Sequence, residues 1–212
     1  MPDTQMTRMP EKGVRDREQL YALLDSQYVG HVGLVRDGHP LVVPTGIARD
    51  GDRVLVHGST GSGWMRLLSG GADACVTVTS LHGIVVARSA FESSFHYRSA
   101  VLFGRFTPLE DHEKRAALDV VAEHFLPGRT DEVRRSTARE LAATLVLAMP
   151  IDTWSLRVSE SWPEDEPSDV AGDAWAGVVP VRTVCGDPLP APDLRAGIAV
   201  PESVRNLPVR AF

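Results

Sequence analysis

The chain has 212 residues, of which 43% are hydrophobic, with a formal net charge of -6 and a pI near 5.6. These values are typical of a packed globular protein, and they argue against a broad basic face for nucleic acid or anionic membranes. The N-terminus is polar, and no segment approaches the roughly 18 apolar residues of a membrane span. We therefore expect a cytoplasmic protein without nucleic-acid or membrane partners.

Two cysteines occur, Cys75 in a predicted strand and Cys185 near the C-terminus. They form neither a CxxC redox motif nor a zinc spacing, so both are predicted to be free thiols. The histidines show no HExxH or HxH spacing, and the sequence therefore predicts no metal site.

The first half of the chain is predicted to hold one helix followed by strands. After a flexible lead over residues 1–15, Asp16 and Gln19 form a capping-box-like start for a helix over residues 17–26. The runs YVGHVGLV, LVVPTGIA and RVLVHGS follow, separated by Asp-Gly turns. This pattern predicts three antiparallel strands.

Further strands alternate with short helices in the second half. STGSGWMRLLSGG predicts a loop and a short helix, then ACVTVTSL and GIVVARS resume the strand pattern. FHYRSAVLFGRFTPL is predicted as a long strand ending at Pro108. Asp111 is expected to cap one helix, and Thr137 with Glu140 to box-cap another. TLVLAMPIDTWSLRVS is predicted as the last strong strand.

Six or more closely spaced strands with peripheral helices predict a mainly β fold, an antiparallel barrel over residues 16–180. Residues 181–212 are rich in proline and are expected to pack as a tail on the barrel or on a dimer partner. The acidic run SESWPEDEPSD carries Trp162. It is interpreted either as a solvated loop or as a lid over a pocket.

Two short segments have a composition that suggests a ligand. Pro44, within LVVPTG, removes a ladder donor in mid-strand and so indicates an edge, a bulge or an opening in the sheet. In HGSTGSG, small residues at a strand-to-helix junction leave N–H groups and hydroxyls free for a phosphate. The candidates there are His57, Gly58, Ser59 and Ser62, and the alternative is a plain flexible turn.

The segments LVVPTG, HGSTGSGWMR and FHYRSAVLFG resemble, in this order, the FMN-binding split β-barrels related to pyridoxamine 5'-phosphate oxidase. The resemblance is greatest to the nitroimidazole-reductase-like branch, and it covers about residues 15 to 180. It implies a Greek-key antiparallel barrel that binds FMN between the two subunits of a homodimer. It places Val42, Val43, Pro44 and Thr45 along the isoalloxazine ring.

The resemblance also assigns the flavin phosphate to the HGSTGSG segment. The vitamin-oxidising members of the family have an Arg-Lys pair directly after the serine, whereas Gly63 and Trp64 follow Ser62 here. Trp64 thus belongs to the candidate cofactor site in place of a cation. The nearest cation, Arg66, is predicted to lie roughly 200° further round the helix from the position of the pair. The source of positive charge for the phosphate is left open.

Two further segments complete the candidate site. Because side chains alternate along a strand, Arg98 and Ser99 are expected to point to opposite faces. The resemblance gives Ser99 the flavin-amide role, and leaves Arg98 to an anionic substrate, the phosphate of a second flavin site or a structural ion pair. In DAWAGVVPVR, Trp175 matches a family tryptophan that packs at the flavin across the dimer interface; a core anchor is the alternative.

The resemblance implies an FMN-dependent oxidoreductase that moves a hydride or electrons from a reduced nicotinamide to a small acceptor such as a nitro compound or a quinone. The flavin supplies the redox chemistry, so no catalytic acid or base is required. A non-catalytic flavin carrier or sensor is one alternative, and a split barrel holding haem or a deazaflavin is another. True pyridoxamine 5'-phosphate oxidase activity is disfavoured, because the cationic clamp for the substrate phosphate is missing.

Overall fold

The computed structural model describes residue 4 and residues 8–207. Ten strands dominate it. They are β1 (Gly13–Val14), β2 (Val29–Arg36), β3 (His39–Asp50), β4 (Arg53–Ser59), β5 (Asp73–Val86), β6 (Ser94–Arg105), β7 (Thr107–Pro108), β8 (Thr144–Pro150), β9 (Thr153–Ser159) and β10 (Gly177–Pro180).

The helices are short and peripheral, apart from one of fifteen residues. After a 3₁₀ turn at Pro10–Lys12, they are α1 (Arg17–Ser26), α2 (Gly63–Ser69), α3 (Asp111–Phe125), α4 (Arg129–Glu132), α5 (Ala138–Ala142), α6 (Pro167–Val170) and α7 (Glu202–Arg205). None of the helices within the described residues is both long and apolar enough to cross a bilayer.

Turn chemistry fixes the first strands as predicted. Asp37 and Gly38 both have positive φ, 52° and 77°, which is the backbone of a two-residue turn matched to the twist of a hairpin. This turn joins β2 to β3 in antiparallel register, and β3 pairs in turn with β4. The three consecutive antiparallel strands inferred from the Asp-Gly turns are therefore confirmed.

The strands form one antiparallel sheet in the order β1-β9-β6-β5-β2-β3-β4-β8-β7, with β10 paired to β5. The fold is the predicted mainly β split barrel. Its main core is made of side chains from both halves of the sheet and from α1 and α2. A second, smaller cluster lies between β4, β8 and α3, around Leu55, Val121 and Val146.

Four sequence-based expectations need correction. FHYRSAVLFGRFTPL forms two strands, because β6 ends at Arg105 and the chain then pairs as β7 with β8. ACVTVTSL and GIVVARS form a single strand, β5, in which a bulge at His82 bridges the two runs. TLVLAMPIDTWSLRVS forms two strands, because Pro150 ends β8 on β4 and the chain then crosses to pair as β9 with β6. The N-cap of α3 is Glu110 rather than Asp111. The Thr137–Glu140 capping box is present as predicted.

The described part of the tail contacts the rest of the chain in two places. The N–H of Val181 donates to the carbonyl of His82, and β10 pairs along β5. Residues 182–200 are exposed throughout. Further along, the N–H and the hydroxyl of Ser203 both donate to the carboxylate of Glu132 on the peripheral helix α4. The described part of the tail thus contacts the rest of the chain in these two places, and its packing as a whole on the barrel or on a dimer partner stays a prediction.

Candidate functional site

The large sheet has two faces, because side chains alternate along each strand. Val32, Val76, Leu102 and Leu156 point into the barrel and are at most 1% exposed. The residues between them point away from the core, onto a surface that we call the outer face. It is formed by β3, β2, β5, β6 and β9, which lie side by side in that order.

A row of polar side chains crosses the middle of the outer face. Ser99 on β6 is opposite Thr79 on β5 and opposite Arg157 on β9. Directly opposed residues have Cβ atoms about 4.5–5.5 Å apart. The row is therefore a compact set of two hydroxyls and one guanidinium, and it contains the predicted flavin-amide residue.

The four predicted ring residues of β3 divide between the two faces. Val43 is opposite the buried Val32, so Val43 and Thr45 project towards the core, whereas Val42 and Pro44 project onto the outer face. Val42 is 60% exposed. Strand β4 pairs with β3 only from residue 47 onward. Among the described residues, the segment 39–46 thus has an edge without a strand partner, as the mid-strand proline indicated.

An apolar groove of about 940 Å³ occupies one end of the outer face. Gly33 keeps it open, because a Cβ at that position would lie 2.8 Å from the sulfur of Cys75. The ion pair between Arg105 and Asp73, 2.7 Å long, lies at its end. The groove is lined by Gly33, Leu34, Val35, Pro40, Leu41, Val42, Asp73, Ala74, Cys75, Phe103, Gly104, Arg105 and Thr153.

The predicted phosphate loop is a tight turn after β4. The Ser59 hydroxyl accepts from the N–H of Gly61, and the Ser59 carbonyl accepts from the N–H of Ser62. Ser62 is the N-cap of α2, and its side chain makes no capping bond. Gly58 packs on Met65, and Trp64 packs against the barrel core. Some polar groups of the loop are therefore bonded within the loop itself, whereas the Ser62 hydroxyl makes no capping bond and is left for a ligand.

A cation that the sequence did not single out approaches this loop. Nη1 of Arg36, at the end of β2, lies 3.9 Å from the position that a Cβ on Gly63 would occupy. Nε of Arg36 lies 3.5 Å from Oδ2 of Asp37, with which it forms an ion pair, and both side chains are largely exposed. The arginine follows Val35, which lines the groove. Arg66, by contrast, is exposed on α2.

His57 faces the second core cluster rather than the outer face. It is opposite Val146, which belongs to that cluster. Its Nδ1 is buried and has no hydrogen-bond partner among the described residues. Burial lowers the pKa of His57 from its ordinary 6.5, because the charged form is poorly solvated there.

Arg98 lies on the inner side of β6, at the end of the barrel, and Ser99 lies on the outer face, so the expected alternation is present. Arg98 donates to the Glu160 carboxylate through Nε and Nη2, at 3.1 and 2.7 Å. Burial, together with the charge of Arg98, lowers the pKa of the nearby His82. These contacts match the structural ion pair that was one of the alternatives for Arg98.

Trp175 lies at the opposite end of the outer face from the groove. It is 65% exposed, and a Cβ on Gly177 would lie 2.8 Å from its ring. Because Gly177 is opposite Val86, the ring is seven strand residues along β5 from Thr79, or about 20 Å. The exposed indole does not match the core-anchor alternative.

The structure thus brings some predicted residues together and separates others. Val42, Pro44 and Ser99 share the outer face, with Trp175 at its far end. His57 faces another cluster, and Arg98 is bound to Glu160. Sequence reasoning missed Thr79, Arg36 and Arg157. The alternation in ACVTVTSL does indicate that Thr79 lies on the other face of the strand from the buried Val76 and Val78. No local pattern distinguishes Arg36 or Arg157 from other arginines.

Comparisons with known proteins agree with this architecture. The model of the pyridoxamine 5'-phosphate oxidase family matches residues 16–158. A search of curated proteins found no match. Among solved structures, the FAD and haem binding protein from Mycobacterium smegmatis is 55% identical, with a TM-score of 0.90, covering 92% of this chain and 96% of that chain.

Two further structures extend the comparison. The flavocytochrome Anf3 from Azotobacter vinelandii is 33% identical, with a TM-score of 0.90, covering 97% of this chain and 96% of that one. A candidate 5-nitroimidazole antibiotic resistance protein from Bacteroides thetaiotaomicron is 22% identical over 69% of this chain and 86% of that chain, with a TM-score of 0.59, and shows the fold alone. The family match and the two close structural relatives show that the chain belongs to the pyridoxamine 5'-phosphate oxidase family of split barrels.

Proposed function

We propose that this chain is a flavin-dependent redox protein whose flavin lies on the outer face. The observation that carries the proposal is the outer face itself, where an apolar groove reaches the unpaired edge of β3 and the row of Thr79, Ser99 and Arg157 crosses β5, β6 and β9. A flavin needs these features together: apolar surface for the ring, and hydrogen-bonding groups for its polar edge.

Arg36 is proposed as the cation for the flavin phosphate. It approaches the turn formed by residues 59–63, where the family's vitamin-oxidising members have an Arg-Lys pair. A guanidinium forms charge-assisted bonds to phosphate oxygens. Arg36→Met should weaken FMN binding by at least about tenfold and leave riboflavin, which has no phosphate, unaffected. The matched control is Arg66→Met, which should change neither; equal losses of FMN and riboflavin would contradict this role.

FAD is the first flavin to test, ahead of the FMN predicted from the sequence. The 55% identical relative is described as binding FAD and haem. Both nucleotides share the isoalloxazine ring and the first phosphate, so the residues on the outer face serve either. Titration of the purified protein with FAD, FMN, riboflavin and deazaflavin, followed by fluorescence quenching, distinguishes them.

Haem is proposed as the alternative occupant of the apolar groove, in place of the flavin ring. Two relatives that match over more than 90% of this chain are an FAD and haem binding protein and a flavocytochrome. Haem needs apolar surface and an axial donor such as histidine or cysteine. The outer face provides Cys75 in the groove, and it provides His31 on β2, two residues along from Gly33, which lies opposite Cys75. Loss of the native haem spectrum in His31→Ala or in Cys75→Ala identifies the donor, and retention in both excludes this site.

The reaction proposed is electron transfer from a reduced nicotinamide to a small organic acceptor, of the nitro or quinone type. A flavin held there would supply the redox chemistry, and the residues of the outer face would place it and exclude water. Under this proposal the residues of the outer face bind and orient; none is required as an acid or base. Anaerobic reduction of the yellow protein by NADH or NADPH, followed by reoxidation with a nitro compound or quinone, tests it.

A homodimer is proposed as the binding-competent form. Val179, Ile84 and Phe95 are cross-strand neighbours on β10, β5 and β6, and are 47%, 42% and 52% exposed. Such a contiguous apolar ladder is typical of an interface. From strand spacings, Arg36 and the polar row around Ser99 are roughly 25 Å apart, further than one FMN spans. One flavin therefore meets both only when each comes from a different copy.

The dimer is tested by light scattering and by flavin titration of the same samples. Ile84→Glu and Phe95→Glu should yield monomers that bind flavin at least about tenfold more weakly, since each places a charge in an apolar interface. Val133→Glu, at an equally exposed valine beyond α4, is the matched control. A wild-type monomer that binds flavin tightly contradicts the proposal.

The first experiment is an absorption spectrum of the purified protein before and after the addition of FAD and haem.

The role of Ser99 is tested by substitution. Ser99→Ala should weaken flavin binding by about 2- to 12-fold, the equivalent of one lost hydrogen bond. Ser94→Ala, an exposed serine at the other end of β6, is the control. A wild-type protein that binds no flavin refutes the proposed function.

A further inference from the structure

Arg157 differs from the other partly buried strand arginines in having no carboxylate partner. Arg49 pairs with Asp25 and Arg53 pairs with Asp50. Arg157 is also partly buried, yet it makes no ion pair within the described part of the chain. Its Nη2 contacts the sulfur of Met9 at 3.6 Å.

The guanidinium is held in place but incompletely hydrogen-bonded. Its carbon lies 6.0 Å from the centre of the Tyr97 ring, a cation-π distance. Its Nε is buried and has no hydrogen-bond partner among residues 8–207. An unsatisfied buried N–H is unfavourable, and more so on a charged group. A side chain kept in this state is prepared to receive an anionic group.

The surroundings of Arg157 indicate what kind of anion fits. Ser99 lies directly opposite it, and Thr79 lies beyond Ser99. Two hydroxyls and a guanidinium in line on a sheet match a planar heterocycle whose edge alternates carbonyl oxygens and ring nitrogens. The roughly 25 Å between Arg157 and Arg36 means that both do not serve the same phosphate.

We propose that Arg157 binds the N1–C2=O edge of the flavin, where negative charge accumulates when the ring is reduced. This inference rests on the proposed function and extends it, because it assigns the residue that stabilises the reduced ring. A fixed positive charge favours the anionic over the neutral form of a neighbouring group, here the reduced ring. Arg157 then affects the reactivity of the bound flavin more than its affinity.

Sulfite is the probe for this charge. Its sulfur donates an electron pair to flavin N5, and the displaced ring pair is delocalised onto N1–C2=O as a negative charge, so that no outside oxidant or reductant is needed. The reversible adduct bleaches the visible flavin band. Its dissociation constant therefore measures stabilisation of negative charge at that edge without catalytic turnover.

The experiment compares wild type, Arg157→Met and Arg157→Lys, each loaded with flavin. Arg157→Met should raise the dissociation constant for sulfite by at least about tenfold, as expected for one charge-assisted bond, and change that for oxidised flavin much less. Arg157→Lys should lie between, since it retains charge without the planar fork. Arg53→Met, which removes an arginine already paired with Asp50 on β4, should match wild type.

Each other outcome has a distinct meaning. If Arg157→Met binds flavin and sulfite like wild type, or if wild type forms no adduct, the inference is overturned while the flavin proposal stands. If wild type binds no flavin, both are overturned, and this is seen before any variant is made. If Arg157→Met does not fold, Arg157→Lys decides. A sulfite affinity equal to that of wild type, together with a weakened flavin affinity, would contradict a role centred on the reduced ring.

Discussion

The two faces of the large sheet are built by the same strands and serve different purposes. On β6, Ala100 and Leu102 are fully buried in the core, while Ser99 and Val101, which alternate with them, are partly exposed on the outer face. The buried residues of the inner face pack in the main apolar core. The outer face carries hydroxyls, an incompletely bonded arginine and an open groove.

This difference shows how one strand separates stability from binding. A side chain on the inner face contributes by removing apolar area from water, at about 25 cal/mol per Å². A side chain on the outer face adds little to folding, because it remains in contact with solvent. Substitutions at adjacent positions of one strand should therefore have different consequences, which the following variants test.

The largest expected effect is on the inner face. Leu102→Ala should lower the free energy of unfolding by about 2–5 kcal/mol, because it removes buried apolar contacts and leaves a cavity. Urea denaturation of the cofactor-free protein measures it. Val101→Ala, one residue away on the outer face, is the control and should cost less than about 1 kcal/mol. Equal losses at both positions would contradict the separation of the faces.

A smaller effect is expected where the outer face is most tightly packed. Gly33→Ala places a methyl group 2.8 Å from the Cys75 sulfur and should destabilise by about 1–3 kcal/mol. Adding Cys75→Ala should restore most of this loss, which a double-mutant cycle measures as a coupling energy. Gly186→Ala, with nothing within 4 Å of the new methyl group, should be neutral. Additive losses at 33 and 75 would argue against this contact.

Substitution of Arg98 tests whether a charged residue on the inner side of β6, next to Ser99 of the outer face, takes part in flavin binding. If its role is the ion pair with Glu160, Arg98→Met should reduce stability by no more than about 1 kcal/mol and leave flavin affinity unchanged. Glu160→Gln should give the same result, since it removes the other half of the pair. A flavin affinity lowered about tenfold in Arg98→Met alone would instead support the phosphate role allowed by the sequence.

The smallest effect concerns pH and His57. Burial lowers the pKa of His57 in the folded state. As the pH falls through about 6.5, the unfolded chain takes up the proton first, so stability is lost from there down towards the folded pKa. His57→Gln should reduce this loss between about pH 7 and pH 5. At about pH 8 the histidine is neutral in both states, so a difference there reports packing alone. A steeper loss in the variant would contradict the assigned direction.

The sequence by itself determined the local elements and the family. Asp-Gly turns, the Thr137–Glu140 capping box and the alternation of β-branched residues depend on neighbours a few positions apart, and each is confirmed in the structure. The three ordered segments indicated a split barrel related to pyridoxamine 5'-phosphate oxidase, and the family match confirms it.

Only the tertiary structure decided which residues meet across the sheet. Arg98 finds Glu160 62 residues away, and Arg157 becomes the neighbour of Ser99 because β9 pairs with β6. The same pairing splits the last predicted strand at Pro150. Strand partners are chosen by packing of the whole core, and a shift of one residue reverses every side chain on a strand. Local patterns therefore predict that a strand exists, while the fold decides what each of its faces contacts.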